Sequence, residues 1–200
     1  THLVEFCNKV ALDNGFTGLH FSAHDIAGYT PQRLDMLIAL HACDTATDLA
    51  LAAGIAQKAA IIVAAPCCHK QIRAQIHAQN ELAPLLKYGI LEERQAELVT
   101  DGIRALLLEA YNYKTKVFEF VSTEHTAKNV MITATARPRP DANKSGKAFE
   151  QVEALKKGFG ITRHYLENLL PEPPFISNGA ASQKNVHPER AANAQPLAKE

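Results

Sequence analysis

Apolar residues recur at helical spacing from the start of the chain. Leu3, Phe6, Cys7 and Val10 share one face and predict a helix over 2–11, running to about Asp13 and stopped by Asn14-Gly15. The chain opens on Thr1 with no N-cap ahead of this helix, and the natural chain is expected to begin upstream. The pattern then changes period. Residues 18–23 read as a short strand ending at Asp25, followed by a loop with Gly28, Thr30 and Pro31. Residues 34–40 are a near-continuous apolar run, the mark of a strand covered on both faces. The Ala- and Leu-rich stretch 45–58 predicts a helix, with Thr45 and Asp48 at capping-box spacing. A second apolar run, 59–65, closes at Pro66. Strand, helix and strand at these lengths make a βαβ unit with a right-handed crossover.

Further along, 69–80 is polar and predicted helical, and 81–89 is weakly patterned. A long helix is expected over 92–111, with Leu98, Leu106, Leu107 and Ala110 as apolar positions. Strands at 116–122 and 130–136 form a hairpin, and Pro138 and Pro140 end that unit. Helices follow at 147–157 and 163–170. Residues 171–200 are poor in apolar content and are expected to be disordered. The division is therefore a main domain over 1–137, a helical extension over 138–170 and a tail over 171–200, with no internal repeats.

Composition narrows the function classes. Apolar residues make up 46% of 200, enough for a real core. Lysine plus arginine equals aspartate plus glutamate at 21 each, so no bulk field draws the chain to nucleic acid or a membrane surface. No apolar run approaches the roughly 20 residues that span a bilayer, and no signal peptide is visible. The four cysteines, Cys7, Cys43, Cys67 and Cys68, suit reduced thiols and a cytoplasmic protein.

Chemistry concentrates where two apolar strands end. The first leads into His41-Ala42-Cys43-Asp44-Thr45, the second into Pro66-Cys67-Cys68-His69-Lys70. In an open α/β sheet, ligands bind at the carboxyl ends of the strands. Parallel pairing brings both groups to one rim, with Asp25 from a third strand beside them.

The blocks "LHACDTATDLAL", "PCCHK" and "VFEFVSTEHTAKNVMITA", in that order, resemble one branch of the class I methyltransferases that use S-adenosylmethionine. This branch includes tRNA acceptor-stem ribose 2′-O-methyltransferases, and the resemblance spans about 3–137. It implies a Rossmann-like α/β sheet of order 3-2-1-4-5-7-6, strand 7 antiparallel. Here strands 3 to 7 fall at 18–23, 34–40, 59–65 and the final hairpin. The glycine-rich loop of strand 1 and the acidic end of strand 2 belong before Thr1. The fold is thus expected to be truncated at its N-terminus, with strand 4 left as an open edge and weak cofactor binding by this chain alone.

The resemblance also assigns residues. Asp25, Ile26, His41, Ala42 and Cys43 are expected around S-adenosylmethionine, with Asp25 at the adenine amino group. His41, Asp44 and His69 are candidate catalytic residues, a histidine as base and Asp44 to orient it. Cys67, Cys68, Lys70, Arg94, Asp101, Arg104, His125, Lys128 and Asn129 are expected on the acceptor side. RNA is the implied acceptor, served by a local basic rim of Lys70, Arg73, Lys114 and Lys116; a small molecule or protein side chain stays open.

Blander readings stand beside these. Asp25 is an ordinary turn residue, Asp44 or Thr45 caps a helix, and Asp48 completes its capping box. Arg94, Asp101 and Arg104 share one helical stripe, which usually marks a solvated face. Adjacent Cys-Cys-His lacks the paired spacing of a structural zinc site, although Cys43 or His41 joins it across the rim, and no metal is expected. Two rivals remain: a non-catalytic scaffold with this fold, and a protein built around a zinc or thiol site.

Overall fold

The backbone alternation of two adjacent strands sets the architecture. In the computed structural model, which describes residues 2–29, 31, 33–77, 80–122, 126 and 128–172, β1 (Met36–Leu40) pairs parallel with β2 (Ile61–Ala65), with Leu40 opposite Ala65. The helix α2 (Thr45–Ala56) connects them. β2 pairs antiparallel with β4 (Val130–Ala136), which closes a hairpin with β3 (Tyr113–Glu119). The sheet order is β1-β2-β4-β3. This is the 4-5-7-6 portion of the expected order, with the strand in position 7 antiparallel.

One face of this sheet carries Leu37, Ile62, Ala64, Ile132 and Ala134, packed into the main core with Leu51, Ile103 and Leu107. Those residues come from α2 and from α4 (Gly89–Ala110). A Cβ built on Gly54 of α2 would lie 2.7 Å from Ile62 Cδ1, so only glycine lets this helix sit so close to β2. α3 (Lys70–Arg73) follows β2. α5 (Ala142–Phe159) packs along α4, and α6 (Tyr165–Leu169) packs on α2. Val152, Phe159 and Leu166 of these last two helices enter the same core.

Several expectations are corrected. Residues 18–23 form no strand; the segment is held to α1 (His2–Asp13) instead. Asn8 does this with its side chain, donating to Phe21 O and accepting from Phe21 N, both at 2.8 Å. A strand needs a ladder partner, and no described residue offers one there. β1 is covered on one face only: Ala39 is buried while Met36, Ile38 and Leu40 are about half exposed or more. Leu3, Phe6 and Val10 on α1 are likewise exposed, as is Leu98 on α4.

The helix expected over 69–80 shrinks to Lys70–Arg73 among the described residues, whereas α5 is longer than expected. Asp141 caps the start of α5 by accepting from Lys144 N, and Gly160 in the left-handed region ends it. β3 starts earlier than expected, at Tyr113, whose hydroxyl donates to Ala59 O at 2.9 Å. Apart from 171 and 172, the expected disordered tail lies outside the described residues, as does His125. Among the described residues no helix is long and apolar enough to cross a membrane.

Candidate functional site

Because Leu40 and Ala65 are partners, the chain leaves β1 and β2 at the same level, and both chemistry-bearing loops start side by side. Two non-glycine residues of the first loop have positive φ. His41 has φ 55°, and Asp44 has φ 52° and ψ −119°. Ala46 N donates to Cys43 O at 3.0 Å, which closes a tight turn with Asp44 at its first central position. Those angles are of the type II′ turn, where glycine is the usual residue. Backbone strain of this kind persists where the surroundings enforce it and clusters at functional sites. Asp44 is the N-cap of α2 by position, but its side chain accepts from Gln71 N at 3.2 Å and so ties the β1–α2 turn to α3.

The turn delivers Cys43 to the second loop. Its Sγ is 3.2 Å from Cys67 Sγ, which is 3.7 Å from Cys68 Sγ. All three sulfurs lie within 4.8 Å of one another, and no histidine or carboxylate among the described residues joins the group. Burial first, and then its two sulfur neighbours, push the Cys67 thiol up to about 12. Cys7, on α1, stands apart.

Behind the cysteines runs a buried polar chain. His69 Nε2 is 3.2 Å from both carboxylate oxygens of Asp101. Asp101 Oδ1 also accepts from Arg104 Nη1 at 3.1 Å. Arg104, completely buried, donates from Nε to Asp48 Oδ1 at 2.8 Å and from Nη2 to Asp44 O at 2.9 Å. Burial pulls the guanidinium's pKa down, but Asp48 and then Asp101 outweigh it, and the net shift is upward. Burial raises the Asp48 pKa, against the pull of Arg104. An ionised carboxylate only accepts, so Asp101 selects the His69 tautomer with its proton on Nε2. His69 Nδ1 is then a bare lone pair, buried and without a partner.

A third feature is a cavity of about 350 Å³ between the segment 22–31 and β1. Leu34, Leu37, Ile38, Ala39 and Leu40 make its wall apolar, and Asp25, His24 and Ser22 supply polar groups. Asp25 Oδ1 caps the short 3₁₀ turn Ile26–Gly28 by accepting from Ala27 N at 3.0 Å.

The sequence-derived candidates therefore divide. Asp25, Ile26 and Ala42 line the cavity, while His41 and Cys43 do not. Cys43, Cys67 and Cys68 meet, and His69 lies in the polar chain beside them. Lys70 is exposed at the start of α3. The stripe expected on α4 splits: Arg94 reaches solvent and pairs with Glu97 at 3.1 Å, whereas Asp101 and Arg104 are buried. Spacing puts the three in line, but only the last two turns of that line face α2. Lys128 also pairs with Glu97, and Asn129 is buried, donating from Nδ2 to Val121 O at 2.8 Å. Both serve the hairpin connection. Arg73 of the expected basic rim faces Glu92 and Glu93 at 3.5 and 3.6 Å.

Two members of the polar chain were not legible as such. Asp48 has capping-box spacing, yet it faces Arg104 instead. His164 caps α6 through Nδ1, which accepts from Leu166 N at 3.2 Å. Its Nε2 is buried near the Thr100 backbone without a fully formed hydrogen bond. A buried arginine in a long apolar helix was the available signal; it demands a carboxylate somewhere in the core.

Residues 1–75 are similar to a methyltransferase domain, the description of the family whose model they match. That stretch includes the cavity, the strained turn and all three clustered cysteines. It stops short of Asp101 and Arg104. No curated protein matches the chain, and no solved structure does.

Proposed function

We propose that the chain takes part in methyl transfer from S-adenosylmethionine to an RNA acceptor. The observation that carries the reading is the cavity at the β1 edge, lined by Asp25 and lying within the segment similar to a methyltransferase domain. Its volume of about 350 Å³ is within the usual range for small-molecule sites. Its apolar wall suits a flat purine, and the Asp25 oxygen not used in capping suits an exocyclic amine. These features fit the adenosyl end of the donor.

The bound donor supplies an electrophilic methyl group on a sulfonium sulfur. The chain's own part is to hold the acceptor and take its proton. His69 Nδ1 is the group for the second task, because Asp101 keeps the ring proton on Nε2. Asp101 is in turn held by Arg104. An RNA acceptor draws on Lys70, Lys114 and Lys116, which have no ion-pair partner among the described residues and are exposed.

The test is transfer of a labelled methyl group from S-adenosylmethionine by the purified protein, offered total RNA and total protein in separate reactions. Label entering RNA, and lost in Asp25→Ala through weaker donor binding, is the expected result. Label entering only protein, or donor affinity unchanged in Asp25→Ala, overturns the acceptor or the donor site respectively.

A further inference from the structure

We infer that Cys43, Cys67 and Cys68 form a zinc site, with solvent water completing a tetrahedron. The inference does not depend on methyl transfer, because it stands on the sulfur geometry alone. A tetrahedral zinc with Zn–S bonds of about 2.3 Å holds its sulfurs roughly 3.8 Å apart. The observed separations are 3.2 Å for Cys43 with Cys67 and 3.7 Å for Cys67 with Cys68, and no pair exceeds 4.8 Å. These values bracket the required spacing, so small side-chain rotations close the site without backbone movement.

The ligand set selects the class of ion. Three sulfurs with no nearby carboxylate or imidazole favour a thiophilic ion of zinc type over magnesium or calcium, which take oxygen. Three protein ligands plus water is the open zinc arrangement, distinct from the closed four-ligand structural site. Cys43 is exposed, which provides an entry path, while Cys67 and Cys68 are half-buried and fixed by the end of β2. The two loops are already tied by Asp44 and Gln71 N, so the sulfurs are preorganised. Binding is written as Zn²⁺ displacing three thiol protons to solvent, leaving three Zn–S bonds and no redox change.

Adjacent cysteines in a sequence argue against zinc because their spacing is wrong for two chelating pairs. The parallel register supplies what spacing lacks, since Leu40 opposite Ala65 brings Cys43 over Cys67.

The experiment uses the full chain, reduced with a phosphine and stripped of metal by a chelator. Zinc affinity is then measured by competition with a chromophoric chelator, and cobalt(II) is added in a parallel sample. One equivalent of zinc, and cobalt spectra with sulfur-to-metal charge transfer and tetrahedral d–d bands, are expected. Losing an outer partner of a metal site costs about 10–100-fold in affinity. Losing a ligand should cost more, so C43S, C67S and C68S should each weaken zinc by about 100-fold or more, and C7S should not. Absence of a stoichiometric site in the parent chain overturns the inference without any variant. So does a cobalt spectrum lacking sulfur charge transfer, or affinity that C43S leaves unchanged.

Discussion

Arg104 Nε donates to Asp48 Oδ1 at 2.8 Å across the α2–α4 contact, and neither side chain is more than 2% exposed. The two residues are 56 positions apart. Their pairing, extended through Asp101 to His69, connects the core to the rim where the cysteines meet. One guanidinium thus faces two carboxylates inside the core.

Breaking a buried pair by removing one partner leaves a charge without compensation. Arg104→Met strands both Asp48 and Asp101 and is expected to cost about 3–5 kcal/mol of stability in urea unfolding. Arg104→Met with Asp48→Leu should recover part of that loss, because it also removes one stranded carboxylate. A single variant as stable as the parent protein would show that the pair is dispensable.

His164 makes stability depend on acid. Burial, followed by the neighbouring Arg104 and Lys156 charges, lowers its pKa to about 3 from 6.5. The unfolded chain therefore binds this proton more readily than the folded one. The stabilisation is fully present above about pH 6.5 and is lost as pH falls towards 3. His164→Asn keeps a capping side chain for α6 and removes the titration. Stability measured from pH 7 to 3 should fall more steeply in the parent, with a difference on the order of a few kcal/mol. Parallel curves would exclude His164 as the cause.

Gly54 is the close-approach point between α2 and β2. Gly54→Ala sets a methyl 2.7 Å from Ile62 Cδ1, a side chain that is itself 1% exposed. Overpacking of this kind costs about 1–3 kcal/mol. Ile62→Val removes the Cδ1 carbon, so the double variant should lose less than the sum of the two singles. Strict additivity in thermal or denaturant unfolding would show that α2 shifts freely to make room.

Asp101→Asn tests the proton acceptor. The amide can donate to the His69 ring as well as accept, so the tautomer is no longer enforced. Methyl transfer is expected to fall by about 100-fold or more with donor affinity unchanged. Unchanged turnover would remove His69 and Asp101 from the chemistry and leave them a role in packing alone.

The sequence pattern by itself determined β1, α2 and β2 nearly to their ends, the β3–β4 hairpin, and the long α4, because these depend on periodicity and turn residues within a few positions. It also determined that His41, Cys43, Cys67, Cys68 and His69 share a rim, because a βαβ unit has one handedness. The tertiary structure alone decided that 18–23 stays unpaired and that β1 is bare on one face, since a strand's fate rests on its neighbours. It alone chose Asp48 over a capping role, split Arg94 from Arg104, and recruited His164. A buried charge needs an opposite charge within a few ångströms, and which carboxylate arrives there is settled by the packing of α2, α4 and α6, not by any local spacing.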